Sequence, residues 1–352
     1  MTEPAQALKP KPILLWCHPR SCSTAIVRAF QNHPQIKVAH EPFPHTMNFS
    51  NADNIENKPA FPISETSPWY NATRVDIASI LSENKLHEPD EKTGKIVAGP
   101  EDGKVIFIKD MAQYSLPNAE FRNHRDLKTK FVAEDFPDEL AKDISQIQNE
   151  SVKNPTVFPV SLLRKFTHAF LIREPERAVP PFLKGLKEMG LKGPDGEELD
   201  PAVTSGYVMY LEQRMLYNFF TDPNSEFNTA PRLPEEEGYI DQPQPPPLID
   251  ASDLLKDPPA VLKQFCDAVG LSFDPAILTW RNDKPVKEFD LPWNSFYKRA
   301  ETTTKFEVDE RKPEDIIKEV AQNERETVAK IIKTWRPDYE YLLARRTITA
   351  AA

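Results

Sequence analysis

An apolar run, Ile13-Leu14-Leu15-Trp16-Cys17, passes through a tight polar turn into a helical pattern from Thr24 to Asn32, where Ile26, Val27 and Phe30 recur at helical spacing. A strand that feeds a helix through so short a turn aims the helix's free backbone N–H groups, and the positive end of its dipole, at whatever lies above the strand. That arrangement is an anion site. Arg20 adds a permanent charge, and Ser21, Ser23 and Thr24 add hydroxyls that can bind the anion or cap the helix. A Walker A loop needs Gly-x-x-x-x-Gly-Lys-Ser/Thr, and this turn has neither its glycines nor its lysine.

The same alternation continues downstream. Ile36-Lys37-Val38-Ala39 reads as a second strand, ended by His40-Glu41-Pro42. Lys104 to Ile108 reads as a third, closing on Lys109-Asp110-Met111, and Thr167 to Ile172 as a fourth, closing on Arg173-Glu174-Pro175. Pro247 to Asp250 is a short fifth strand. Helices are expected at about Arg74–Leu81, Pro181–Met189, Ala202–Phe220, Pro259–Val269 and Pro313–Trp335. Strands with polar ends alternating with helices describe an α/β fold, a parallel sheet flanked by helices, whose ligands bind at the strands' carboxyl ends.

The expected organisation is one domain over residues 12–345, with tails at 1–11 and 346–352. Insertions fall at about 44–101, 112–160 and 221–246; the first reads as a partly ordered cover over the site, and the third as solvated. The 35 prolines against 10 glycines predict proline-stiffened loops. A net charge of -10 argues against a polyanionic partner such as nucleic acid. Cys17, Cys22 and Cys266 are an odd number without framework spacing, which fits a reducing compartment. There is no long apolar run and no basic-then-apolar start, so a cytoplasmic protein without membrane contact is expected. No Cys/His cluster points to a metal.

Pro19-Arg20-Ser21-Cys22-Ser23-Thr24 resembles the 5′-phosphosulfate loop, commonly Pro-Lys/Arg-Ser-Gly-Ser/Thr-Thr, of the sulfotransferases that use 3′-phosphoadenosine 5′-phosphosulfate (PAPS). Cys22 stands where that family has glycine, and a positive φ there would strain it. Arg173-Glu174-Pro175 after the fourth strand resembles the family's 3′-phosphate motif, whose arginine grips the phosphate. The second donor of that motif, a serine, is replaced by Pro181, which displaces the helix start and leaves Arg177 as a substitute. Weaker likenesses lie at Pro247 to Gly270 and at Trp293 to Thr304, the place of the cofactor-covering loop, which includes Thr303.

The resemblance implies transfer of a sulfuryl group from PAPS to a hydroxyl of a small molecule, leaving 3′,5′-ADP. It implies Glu41 as general base, and Lys109 on the leaving oxygen together with Arg20. One branch of the family carries its base histidine where Met111 stands here. His40 is the runner-up base, and alternation along the strand puts its side chain opposite that of Glu41. Two other readings remain: a non-catalytic nucleotide- or metabolite-binding protein on the same scaffold, and a divergent nucleotide-dependent kinase or hydrolase.

Overall fold

The computed structural model describes residues 8–52, 64–90, 92–190, 192, 196–281 and 293–350. Its centre is a five-stranded, all-parallel sheet in the order β2-β5-β1-β6-β7. The strands are β1 (Ile13–Cys17), β2 (Ile36–His40), β5 (Val105–Met111), β6 (Thr167–Ile172) and β7 (Leu248–Asp250); a separate hairpin pairs β3 (His87–Asp90) with β4 (Lys95–Ala98). Central β1 pairs Ile13 with Phe107 on one side and with Thr167 on the other. The chain runs from β1 out to β2, returns through β5, and crosses to β6 on the far side of β1. The carboxyl end of β1 is therefore a point where the winding reverses, the usual ligand crevice of such sheets.

Period-two alternation divides the strand side chains between two cores. Ile13, Leu15, Cys17, Phe107, Ala169, Leu171 and Ile249 face one side, where Ile26, Ala29 and Phe30 of helix α1 (Ser23–Phe30) pack. Leu14, Trp16, Ile106, Ile108, Phe170 and Ile172 face the other. That side is covered by most of the remaining helices. These are α2 (Phe43–Phe49), α3 (Arg74–Ser82), α4 (Asn118–Ala133), α5 (Asp138–Asn149), α6 (Val160–Leu163), α7 (Pro175–Glu188), α8 (Pro201–Gly206), α9 (Tyr210–Thr221) and α10 (Glu226–Thr229). After β7 come α11 (Ala251–Lys256), α12 (Pro258–Val269), α13 (Lys298–Thr302), α14 (Pro313–Lys318) and α15 (Arg325–Leu343). Helix α12 returns to the α1 side with Val261, Leu262 and Phe265. Many prolines serve as helix starts rather than loop stiffeners: Pro175, Pro201, Pro258 and Pro313 open four helices, where a missing N–H costs nothing.

Several expectations are corrected. Helix α7 begins at Pro175, not Pro181, and runs through Pro180 and Pro181, so the helix start is not displaced. The long helix expected over Ala202–Phe220 breaks after Gly206, where an added Cβ would meet Arg125 and Thr129 of α4; close approach of the two helices selects glycine there. The final helix splits at Lys318 and continues to Leu343, past Trp335. The first insertion holds α2, α3 and the β3–β4 hairpin besides loop.

Neither supposed tail is loose in its described part. Lys9 pairs with Tyr239, Lys11 is buried with its ammonium on the Arg164 carbonyl, and Ile348 bridges Ile249 beyond β7. The third insertion is partly buried: Phe227 joins the core, and Glu236 accepts from Arg164 at 3.0 Å. Among the described residues no helix is long and apolar enough to cross a membrane.

Candidate active site

The turn after β1 owes its shape to two residues in the left-handed region, Arg20 (φ 63) and Cys22 (φ 67). Cys22 thus occupies the strained conformation the sequence left conditional, at a cost of about 1 to 2 kcal/mol over glycine. Cys22 is also the N-cap of α1 and makes no side-chain cap bond, so the expectation that Ser or Thr caps this helix is not met. The N–H groups of Ala25 and Ile26 already bond the Cys22 carbonyl. The N–H groups before them, at the positive end of the helix, are the ones left for an anion.

A cavity of about 280 Å³ opens over this turn. Pro19, Arg20, Cys22, Ser23, Thr24, Arg173 and Thr303 line it, together with Glu41 and Lys109. Ser21 does not: it is fully buried beneath the turn, and its hydroxyl has no hydrogen-bond partner among the described residues. Arg20 donates to the Phe296 carbonyl at 2.6 Å. Burial, and next the neighbouring charge of Arg173, lower its pKa, so a bound anion would relieve the crowding of the two cations.

Arg173 is locked against the same turn. One of its guanidinium nitrogens donates to the Arg20 carbonyl at 2.9 Å, and its backbone N–H donates to His18 Nε2 at 2.9 Å. His18 was not singled out by its sequence; burial drops its pKa to about 3, so the ring is neutral and can accept that bond. The other guanidinium nitrogen lies 3.8 Å from the carboxylate of Asp309. Arg177 does not line the cavity. It donates to the Asp309 carbonyl at 3.0 Å and lies 3.4 Å from Glu174, so its guanidinium is engaged outside the cavity lining. Arg311 grips Asp309 with two nitrogens, at 2.8 and 2.7 Å, and holds its pKa down to about 2.

Glu41 continues the ladder by one bond past β2, its N–H donating to the Lys109 carbonyl at 2.8 Å, and then turns with φ 47. This turn breaks the strand alternation. His40 and Glu41 therefore do not face apart: His40 Nε2 lies 3.6 Å from Glu41 Oε1. His40 is buried, does not line the cavity, and is held neutral by burial with a pKa of about 3. Lys109 is buried rather than exposed and donates to Glu41 Oε1. The Tyr297 hydroxyl donates to Glu41 Oε2 at 2.8 Å. Burial alone would raise the Glu41 pKa, but Lys109, and after it His40 and Tyr297, bring it down to about 2. Glu41 is a carboxylate at neutral pH, and each of its oxygens keeps a second lone pair for an acceptor proton.

Asp110 fixes this corner from below. Its Oδ2 accepts from the Phe43 N–H at 2.9 Å, at the start of α2, so the helix that follows Glu41 is pinned to β5. Met111 lines the cavity at the position the sequence assigned to a missing histidine. The residues that sequence reasoning missed are Tyr297 as a partner of Glu41, Asp309 beside the arginines, and His18 beneath Arg173. Tyr297 stands in the segment read as a cofactor-covering loop, but nothing local to it signals a contact with β2. Among the described residues no group of three or more His, Cys, Asp or Glu could hold a metal.

Residues 246–330 match the family model of the sulfotransferase domain, which agrees with the resemblance read from the sequence and supports assigning the chain to the sulfotransferases. The matched region runs from the start of β7 into α15 and contains Tyr297, Thr303 and Asp309. A solved structure, the sulfotransferase domain from the curacin biosynthetic pathway, is similar at 13% identity over 98% of this chain and 100% of that chain. Its TM-score is 0.40. No curated protein matches the chain.

Proposed function

We propose that the chain transfers a sulfuryl group from PAPS to a hydroxyl of a small molecule. One observation carries this reading: a helix start without a side-chain cap, two arginines and a Glu41–Lys109 pair converge on a single cavity. The residues fit an anionic nucleotide donor. The backbone around Cys22 to Thr24, with Arg20, would hold the 5′-phosphosulfate, and Arg173 the 3′-phosphate, while Thr303 belongs to the cover. The orphaned Ser21 hydroxyl beneath the turn is a further donor that a small shift of the loop would bring into use.

PAPS supplies the group transferred. The chain's own part is positioning and charge: Arg20 and Lys109 stabilise negative charge on the leaving side, and Glu41 accepts the hydroxyl proton. Lys109 must then exchange part of its bond to Glu41 for the donor, which frees Glu41 Oε1. A cytoplasmic setting belongs to this reading, in keeping with the free thiols Cys17, Cys22 and Cys266. So does the lack of a nucleic-acid or membrane partner, in keeping with the net charge of -10.

The non-catalytic reading draws on Asp309, a carboxylate beside the arginines that a 3′-phosphate would need. The kinase or hydrolase reading has no Gly-Lys-Ser/Thr in its favour. A thermal-shift panel separates the three, because a ligand that binds only the native state raises its melting point. The proposal expects stabilisation by 3′,5′-ADP and by PAPS, release of 3′,5′-ADP once an acceptor is added, and no stabilisation by ATP with magnesium. Equal shifts with both nucleotides would overturn it.

A further inference from the structure

Strands β1 and β6 part where the cavity opens. Their pairing ends at Trp16 and Phe170, and beyond that point side chains bridge them. Gln213, on helix α9, donates its Nε2 to the carbonyls of Trp16 at 3.2 Å and of Leu171 at 3.0 Å. Arg173 stands one residue past β6, and both of its backbone groups are taken by side chains: the N–H goes to His18 Nε2 at 2.9 Å, and the carbonyl accepts from the Tyr210 hydroxyl. Its guanidinium reaches across to the Arg20 carbonyl at 2.9 Å.

His18 is the joint between the two strand ends. Its Nδ1 lies 2.8 Å from the carbonyl of Pro19, a group that only accepts, while its Nε2 faces an N–H that only donates. Those two partners fix one neutral tautomer, with the proton on Nδ1 and the lone pair on Nε2. The ring is buried, packs against the Tyr210 ring at a centroid distance of 4.3 Å and does not line the cavity. A ligand in the cavity meets Arg173, not His18. The effect of His18 runs through Arg173, whose backbone is tied on one side to the turn after β1 and on the other to α9. An arginine side chain has many rotamers to lose, and one that is already held gives up less freedom when it grips a phosphate.

We propose that His18, with Tyr210 on the opposite side of the same residue, is a positioning residue that sets the distance between the turn after β1 and the Arg173 guanidinium, and so selects a nucleotide phosphorylated at both its 5′ and its 3′ positions. This rests on the sulfuryl-transfer reading above, which gives the turn the 5′ end and Arg173 the 3′-phosphate. The turn and Arg173 could each meet an anion without His18. The joint makes them one site of fixed span, so its loss falls on the discrimination between 3′,5′-ADP and 5′-AMP and not on the binding of 5′-AMP. His18→Asn keeps a donor near the Pro19 carbonyl but is too short to meet the Arg173 N–H, whereas His18→Gln puts an amide oxygen near the place of Nε2.

The test is calorimetric titration of 3′,5′-ADP and of 5′-AMP into the full chain, read as the ratio of their affinities. Wild type is expected to prefer 3′,5′-ADP by about tenfold or more, the worth of a hydrogen bond to a charged group. His18→Asn should cut that ratio by about fivefold or more with 5′-AMP within about twofold, and His18→Gln should bring it back to within about twofold of wild type. In an Arg173→Ala background, where the guanidinium is gone, His18→Asn should change 3′,5′-ADP affinity by less than about twofold; a role confined to holding the fold would weaken it there as well. Tyr210→Phe removes a single hydroxyl and should cut the ratio by about threefold or more, which keeps the test open should His18→Asn fail to fold. An unchanged ratio in the folded variants, equal weakening of both nucleotides, no rescue by His18→Gln, or a His18→Asn effect that survives Arg173→Ala would overturn the positioning role alone. Wild type that binds 3′,5′-ADP no better than 5′-AMP would overturn the sulfuryl-transfer reading and the positioning role with it.

Discussion

The Tyr297 hydroxyl donates a 2.8 Å hydrogen bond to Glu41 Oε2 inside the fold, joining the end of β2 to a segment 256 residues away in the chain. The residue before it, Phe296, gives its carbonyl to Arg20. One short stretch thus touches both Arg20 and Glu41.

Tyr297→Phe is expected to keep 3′,5′-ADP affinity within about 0.5 kcal/mol, an ordinary change away from the donor. Without the hydrogen bond the carboxylate loses stabilisation, so the Glu41 pKa should rise by about one unit, the equivalent of one such bond. The readouts are calorimetry for binding and, once an acceptor turns over, the acid limb of kcat. An unmoved acid limb would show that Tyr297 only packs.

Glu41 and Lys109 form a buried pair, so removing one partner strands the other. Glu41→Gln and Lys109→Met should each destabilise the fold by about 3 to 5 kcal/mol. The double variant should recover much of that loss, giving a coupling energy of at least about 1 kcal/mol in denaturant unfolding. Additive losses would mean that the two groups do not depend on one another.

The same pair makes an acid-stability prediction. The folded pKa of Glu41, about 2, lies below its ordinary value of 4.5, so its contribution is present above pH 4.5 and is lost as pH falls toward 2. Roughly 3 kcal/mol is at stake at the rate of 1.36 kcal/mol per unit. The double variant Glu41→Gln/Lys109→Met should lose correspondingly less stability than wild type over that interval, followed by urea unfolding at stepped pH.

Asp309 sits where it competes for the arginines. Arg173→Ala should weaken 3′,5′-ADP by about 1.5 to 3 kcal/mol, the range for a hydrogen bond to a charged group. Asp309→Asn should strengthen it by about 0.5 to 1 kcal/mol, the scale of one partly solvated ion pair. Calorimetric titration of both variants checks the pair of signs. Weaker binding in Asp309→Asn would assign the aspartate to holding Arg311 in place instead.

Cys22→Gly relieves a left-handed cysteine worth about 1 to 2 kcal/mol but adds unfolded-chain entropy of up to about 1. A net gain of about 0.5 to 1 kcal/mol in thermal unfolding is expected, with none for Cys22→Ala. Loss of stability in the glycine variant would mean that the thiol itself is needed.

The sequence alone determined the elements whose signal is local. Apolar runs closed by polar residues located all five sheet strands to within a few residues, because a strand buried on both faces must be apolar along its length. The strand–turn–helix at Ile13 to Phe30 was legible for the same kind of reason, since an apolar run and helical spacing are both local patterns. What spacing along the chain could not convey was settled by tertiary contact. The positive φ of Glu41 undid the alternation that had set His40 apart from it, and Pro180 and Pro181 were carried inside a helix whose apolar face packs on the core. Tyr297 and Asp309 reached the site only by folding over from the C-terminal segment. A hydrogen bond or ion pair between residues so far apart leaves no local pattern, because its geometry exists only after the intervening chain has packed.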